Sequence, residues 1–221
     1  MDWEFLRILV PLNRHFLVVN LGSRVSPLAR ALVGTCRMVI AMGPDSGSVQ
    51  ARDPERVPAG ASVVSPLCGD ATGYLPFRDR CLDLIILDQV ADGTCRRDED
   101  RQVEIQAGLL SEARRVLRPE GGLCLVVARH RSRITPRRLR VLLEGCGFSS
   151  TEFYWPYPAY CRVTALASLT SGRAMASCID ILIEGNAFRE RKKRAWLKAL
   201  ARLDLLQYTV PEYLVLATRG V

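Results

Sequence analysis

Short apolar runs recur along the chain, each followed by a polar stretch. Phe16 to Asn20 (FLVVN), Met38 to Ala41, Ser62 to Leu67, Leu82 to Leu87 (LDLIIL), Leu123 to Ala128, Thr151 to Tyr154 and Tyr213 to Thr218 (YLVLAT) are seven such runs. Most of them lack the apolar/polar alternation of a strand with one wet face, so they predict strands buried on both faces. Ser26-Pro27 and Thr135-Pro136 predict helix starts, a capping side chain followed by proline at the first helical position. Gly34 and Gly147 are the matching stop signals. From Gln102 to Leu117 the apolar positions Val103, Leu109, Leu110, Ala113, Val116 and Leu117 fall near helical spacing, and PEGG ends the run. Residues 155–186 read as irregular and Pro-rich at first, then apolar. Residues 187–206 predict a basic amphipathic helix with a core-facing stripe of Phe188, Trp196, Leu200 and Leu203.

Apolar strands alternating with capped helices predict an α/β fold: a doubly wound, mostly parallel seven-stranded sheet, covered on both faces. The chain reads as one domain, 1–221, with an elaboration at 155–206 before the last strand that serves as a lid or a substrate wall. Ligands of such sheets bind beyond the carboxyl ends of the strands, at the point where the strand order reverses. That directs attention to the loops at 20–26, 43–47, 69–75, 88–93 and 129–134.

Composition narrows the classes. With 48% apolar and 24% charged residues over 221 positions, disorder and fibrous repeats are excluded. The net charge of +8 favours anionic partners: nucleic acid, phosphate groups, acidic peptides or a membrane surface. That charge is nearly all arginine; the lysines are Lys192, Lys193 and Lys198. The eight cysteines contain no C-x-x-C pair, and only His15 and His130 could join them, so no zinc pattern forms and no metal is expected. Cysteines inside apolar runs fit a reducing cytoplasmic compartment. Asp2 and Glu4 near the start argue against a secretory signal, and no apolar run approaches a membrane span.

Four segments carry a resemblance. VVNLGSRVS (18–26), VIAMGPDS (39–46), GDATGYLPFRDRCLDLIIL (69–87) and LLSEARRVLRPEGGLCLVV (109–127) stand in the order, and at the spacing, of the class I S-adenosylmethionine-dependent methyltransferases, which this chain resembles over roughly its first 150 residues and its last strand. The third and fourth segments are the strong matches: an acid-Ala pair, then Leu-Pro-Phe and an Asp-led strand, and a helix ending Arg-Val-Leu-Arg-Pro before Gly-Gly.

The resemblance implies S-adenosylmethionine as cofactor and S-adenosylhomocysteine as product, with contacts at Asn20, Gly22, Asp45, Asp70 and Ala71. Gly22 lets backbone N–H groups approach the amino-acid portion of the cofactor. Asp70 matches the carboxylate that accepts the adenine amino group, and Ala71 supplies the adjacent N–H. Four positions depart from the family: Asn20 replaces an acid, Arg24 and Ser26 replace glycines, and Gly43 stands where an acid grips the ribose, leaving Asp45 two residues on as the substitute. Each contact has a plainer reading. Asn20 and Ser26 are adequate capping residues, Asp45 an ordinary turn residue, and Asp70 an Asx-turn residue were it not followed by Leu-Pro-Phe.

Methyl transfer asks mainly for alignment of nucleophile and methyl. Asp88, after the fourth strand, and His130, after the fifth, are the candidates for a base or for a group that orients the nucleophile. Arg129, Arg131 and Arg133 open a run of six arginines without an acid (129–140) and are candidates for binding a phosphate or carboxylate. The sequence therefore predicts a methyltransferase of a small molecule or peptide, with an anionic small molecule or an acidic protein as partner. A catalytically inactive accessory subunit is the alternative, and RNA methylation, resting on charge alone, is third. The 187–206 helix is read first as packed on the sheet and second as a membrane-surface or partner-docking element.

Overall fold

The computed structural model describes residues 17–21, 36, 38–43, 63–68, 74–88, 99–128, 134–157, 163–183, 188–203 and 205–220. Strands β1 (Leu17–Leu21), β2 (Met38–Gly43), β3 (Val63–Cys68) and β4 (Leu82–Asp88) are followed by helix α1 (Glu99–Val116) and strand β5 (Leu117–Ala128). Then come α2 (Pro136–Gly145), β6 (Phe148–Tyr157), β7 (Ala165–Ser168), α3 (Gly172–Leu182), α4 (Phe188–Arg202), a 3-10 turn at Leu206–Tyr208 and β8 (Glu212–Arg219). The sheet order is β3-β2-β1-β4-β5-β8-β6-β7. β1 to β5 are parallel to one another, whereas β8 runs antiparallel to β5 and β6, and β7 antiparallel to β6.

This is the doubly wound α/β architecture expected. All seven predicted strands are present, and β7 is an eighth, a short edge strand drawn from the stretch read as irregular. Its four residues are too few to show a period, and pairing with Tyr154–Tyr157 of β6 decides their conformation. The same stretch also yields α3, and β6 runs on through Pro156 to Tyr157, beyond the predicted Tyr154.

The strands are buried on both faces. Val18 and Val19, Ile85 and Ile86, and the run from Leu123 to Ala128 all lie in the core. Along one face, Val19, Ile85, Leu125, Val215 and Phe153 join Leu110, Ala113 and Val116 of α1, Leu139 and Leu143 of α2, Ile179 of α3 and Leu197 and Ala201 of α4 in one cluster. Thr135 caps α2 as predicted, its Oγ1 accepting from the Arg138 N–H at 3.2 Å, with Pro136 in the first turn.

Two expectations are corrected. The PEGG sequence does not separate a helix from a later strand: α1 ends at Val116 and β5 begins at Leu117. Leu82 pairs with Leu117 but Leu84 pairs with Gly122, so residues 118–121 bulge out of an otherwise continuous strand. Glu120 adopts φ 65° in that bulge, and a Cβ on Gly121 would come within 2.9 Å of the Arg118 carbonyl oxygen. The turn chemistry was legible; its use inside a strand was not.

The stripe expected on the last helix is out of phase. Leu197 and Ala201 are buried, while Trp196 and Leu203 are 57% and 66% exposed and Leu200 is half-buried. The side chain of Phe188 lies outside the described residues. α4 packs against α3, and Lys198 and Arg194 reach Asp180 across that contact. An ion-paired flank of this kind leaves the core line one position away from the largest side chains.

Candidate functional site

The sheet order reverses beside β1. The strands β2 and β3 extend the sheet one way, β4 and β5 the other. Residue Leu21 is in register with Met42 on one side and Leu87 on the other, so the carboxyl ends of β1, β2 and β4 lie at one level. This is the crevice edge that a doubly wound sheet offers to a ligand.

Two of the predicted site residues, Asn20 and Asp88, have their backbone described at that edge. Asn20 sits in β1 between Ala41 and Ile86, one residue from the strand's end. Gly43 ends β2 in register with Cys68, the last residue of β3 and two before Asp70. Asp88 ends β4 beside Val126 of β5. The backbone thus brings Asn20 and Asp88 to adjacent strand ends, and their side chains lie outside the described residues. So do Gly22, Asp45, Asp70, Ala71, Arg129, His130, Arg131 and Arg133.

The Leu-Pro-Phe segment that returns from the third loop is fully described. Leu75 is completely buried, and Phe77 packs half-buried against the same core. The Leu75 N–H donates to Glu112 Oε2 at 3.1 Å, and the Leu75 carbonyl accepts from the Arg115 guanidinium at 3.0 Å and from the Phe77 N–H at 2.7 Å. Arg115 also donates to the Phe77 carbonyl at 3.0 Å, to Asp79 Oδ1 and, through Nε and a terminal nitrogen, to both carboxylate oxygens of Glu112. A guanidinium carries five N–H donors, and these five bonds use its capacity. Its Cζ also lies 4.6 Å from the centre of the Tyr74 ring.

The chain then stays on the end of α1. Arg80 N–H donates to the Arg115 carbonyl and Cys81 N–H to the Val116 carbonyl, satisfying helix carbonyls that would otherwise lack partners. Arg80 takes the left-handed region, φ 55°, to make that turn. The stretch from Tyr74 to Leu82 is therefore clamped from one helix.

Electrostatics follow the same contacts. The hydrogen bond from Arg115 holds the Glu112 carboxyl below the ordinary carboxylate range, against the opposing effect of burial. Glu112 and Asp79 in turn raise Arg115, keeping it charged at any accessible pH. Glu112 and Arg115 fall within LLSEARRVLRPEGGLCLVV, where the sequence marks no role for them. The only signal is that an acid and an arginine three residues apart share a helix face with Ala113 and Val116 adjoining the core.

Other chemistry is sparse. Among the described residues no three of His, Cys, Asp and Glu group to hold a metal. An apolar crevice between β4, β5, α1 and α2, lined by Leu87, Leu110, Val127 and Leu139 among others, holds about 20 Å³, room for one water. No described helix is long and apolar enough to cross a membrane.

No protein-family model matches the sequence, and no curated protein does. Solved structures do. Phosphoethanolamine N-methyltransferase 2 of Haemonchus contortus, in complex with S-adenosyl-L-methionine, superimposes with a TM-score of 0.58 at 14% identity; the match covers 99% of this chain and 52% of that one, so this chain spans about half its length. A SAM-dependent methyltransferase of Thermotoga maritima gives 0.53 at 15% identity, covering 98% and 86%. The cyclase SpnF gives 0.55 at 16% identity, covering 99% and 79%. Its name is not that of a methyltransferase, which shows that the shared architecture does not fix one reaction. At these identities the likeness speaks to architecture, and on that ground the chain has the fold of the class I S-adenosylmethionine-dependent methyltransferases.

Proposed function

We propose that the chain binds S-adenosylmethionine at the β1–β4 crevice and transfers its methyl group to a small molecule or peptide. The observation that carries this reading is the clamp of Glu112 and Arg115 on Leu75 and Phe77. It holds the chain at Leu75, seven residues after β3 ends at Cys68, which supports a reading with Asp70 and Ala71 near the strand end, where an adenine-binding carboxylate is needed. The residues fit the nucleoside end of the cofactor: Asp70 accepts from the adenine amino group, Ala71 donates its N–H, and Asp45 takes a ribose hydroxyl. Asn20 and Gly22 receive the amino-acid end.

When bound, the sulfonium supplies an already activated methyl, so the protein's work is alignment. Asp88, at the end of β4, orients the nucleophile or takes its proton, with His130 as the second such group. Arg129, Arg131 and Arg133 hold an anionic group of the acceptor, and residues 155–206 wall the acceptor's side. A reducing cytoplasmic setting suits the cysteines.

A second reading has its own support. Asn20 and Gly43 stand where the family carries two acids, and Arg24 stands where it carries a glycine. A sulfonium is disfavoured there, so the chain would act as an accessory subunit that keeps the fold and not the reaction.

Thermal unfolding with S-adenosylmethionine and S-adenosylhomocysteine separates the two. A ligand at a hundred times its Kd adds about 2.7 kcal/mol, a rise of roughly 5–10 °C for a chain of this size. Asp70→Ala should abolish the rise without lowering the melting temperature of the free protein. No rise at millimolar ligand leaves the accessory-subunit reading.

A further inference from the structure

α4 turns an unusual face away from the fold. The line Leu197 to Ala201 packs inward. On the opposite side stand Trp196, 57% exposed, and Leu203, 66% exposed, seven residues or about two turns apart, some 10 Å along the axis. The Leu203 N–H still bonds the Ala199 carbonyl, so both belong to one helical surface. Leu205, just beyond, is 43% exposed. Three of the six large apolar side chains exposed among the described residues therefore lie on ten consecutive positions.

Among the described residues, the exposed charges of this helix are all positive. Lys192 and Lys193, both exposed, lie one turn before Trp196 on its own face, at i−4 and i−3. Arg191 and Arg202 are exposed on the flank. The chain's lysines are all in this helix, in a protein that elsewhere uses arginine for positive charge. Long cationic side chains can keep their heads in water while their stems lie along apolar surface.

The outward face of α4 carries Trp196 and Leu203 beyond the exposed Lys192 and Lys193. It has the chemistry of an interfacial helix: the indole and leucine enter the boundary between headgroups and acyl chains, and the ammonium groups meet anionic headgroups. We infer that the outward face of α4, through Trp196, Leu203, Lys192 and Lys193, docks the protein on an anionic lipid surface. Attachment of this kind is peripheral and reversible, since two apolar anchors and a few charges give only modest affinity. The inference does not rest on the proposed cofactor reading, which concerns the strand ends of β1 and β4.

The test is co-sedimentation of the full chain with vesicles of phosphatidylcholine alone or with roughly one-third phosphatidylserine. Binding should be at least about tenfold tighter to the anionic vesicles and should fall as added salt shortens the screening length from about 10 to about 3 Å. Lys192→Glu with Lys193→Glu, and separately Trp196→Ala with Leu203→Ala, should each weaken it about tenfold or more. The melting temperature of each pair, measured alongside, checks that the loss is of binding and not of fold. Equal binding to both vesicles, or variants that bind like the parent, overturns the inference. Binding to polyglutamate or single-stranded RNA that exceeds vesicle binding and is lost in the same variants also overturns it, assigning the face to an acidic protein or to nucleic acid.

Discussion

Arg115 of α1 donates to the backbone carbonyl of Leu75 at 3.0 Å, forty residues earlier in the chain. Through this bond and its partners a helix that precedes β5 sets the position of a loop that precedes β4. Arg115→Ala leaves the Leu75 and Phe77 carbonyls and the Glu112 carboxylate short of donors. Hydrogen bonds to charged groups are each worth about 1.5–3 kcal/mol, and water replaces part of what is lost, so the substitution should cost about 2–3 kcal/mol in urea unfolding. On the proposed cofactor reading it should also reduce the ligand-induced rise in melting temperature, because Leu75, five residues after Asp70, loses its anchor. A cost below about 0.5 kcal/mol would show that the clamp is ornamental.

The same pair predicts an acid limb. Glu112 has a depressed carboxyl in the folded protein, caused first by the hydrogen bond from Arg115. A group whose folded value lies below its unfolded value stabilises the fold above the ordinary carboxylate range, and that contribution fades as pH falls through the folded value. Stability should therefore drop on acidification, and Glu112→Gln should be less stable than the parent at pH 7 but show a shallower decline toward pH 3. Parallel curves for parent and variant, measured by urea midpoint, would contradict this.

Arg219, at the end of β8, caps the carboxyl end of α1. One guanidinium nitrogen donates to the carbonyls of Arg114, at 2.7 Å, and Leu117. Burial and the nearby Arg80 and Arg114 push Arg219 below the usual arginine range, while the helix dipole and the carbonyls favour its charge. Arg219→Met keeps the stem and removes the donors. It should cost about 1–2 kcal/mol, with Arg219→Lys recovering part of it. Urea midpoints of the two variants check the order.

Gly147 joins α2 to β6 with φ 84°, and a Cβ there would lie 2.6 Å from Arg114 Nε. The arginine can move aside, but the left-handed backbone cannot be relieved. Gly147→Ala should cost about 1–2 kcal/mol, a fall of roughly 2–8 °C in melting temperature. Gly145, by contrast, has open space around its added Cβ and sits in a helix, so Gly145→Ala should be neutral or stabilising.

What the sequence determined was local and repetitive. Val18, Ile85 and Val126 announce strands buried on both faces because such strands need unbroken apolar runs, and Thr135-Pro136 announces α2 because capping and fixed φ act within one turn. Those signals sufficed for the doubly wound sheet, and the motif around Leu-Pro-Phe sufficed for the family likeness. What only the tertiary structure decided depends on neighbours distant in sequence. The RPEG bulge within β5 exists because Leu82 and Leu84 of β4 hold strand register on either side of it. The phase of α4 is set by α3, where Asp180 draws Lys198 and Arg194 inward and leaves Trp196 outside. The role of Glu112 and Arg115 emerges because their partners, Leu75 and Phe77, are some forty residues away. A helical period says that a stripe exists but not which element receives it, and an ion pair has no sequence period at all.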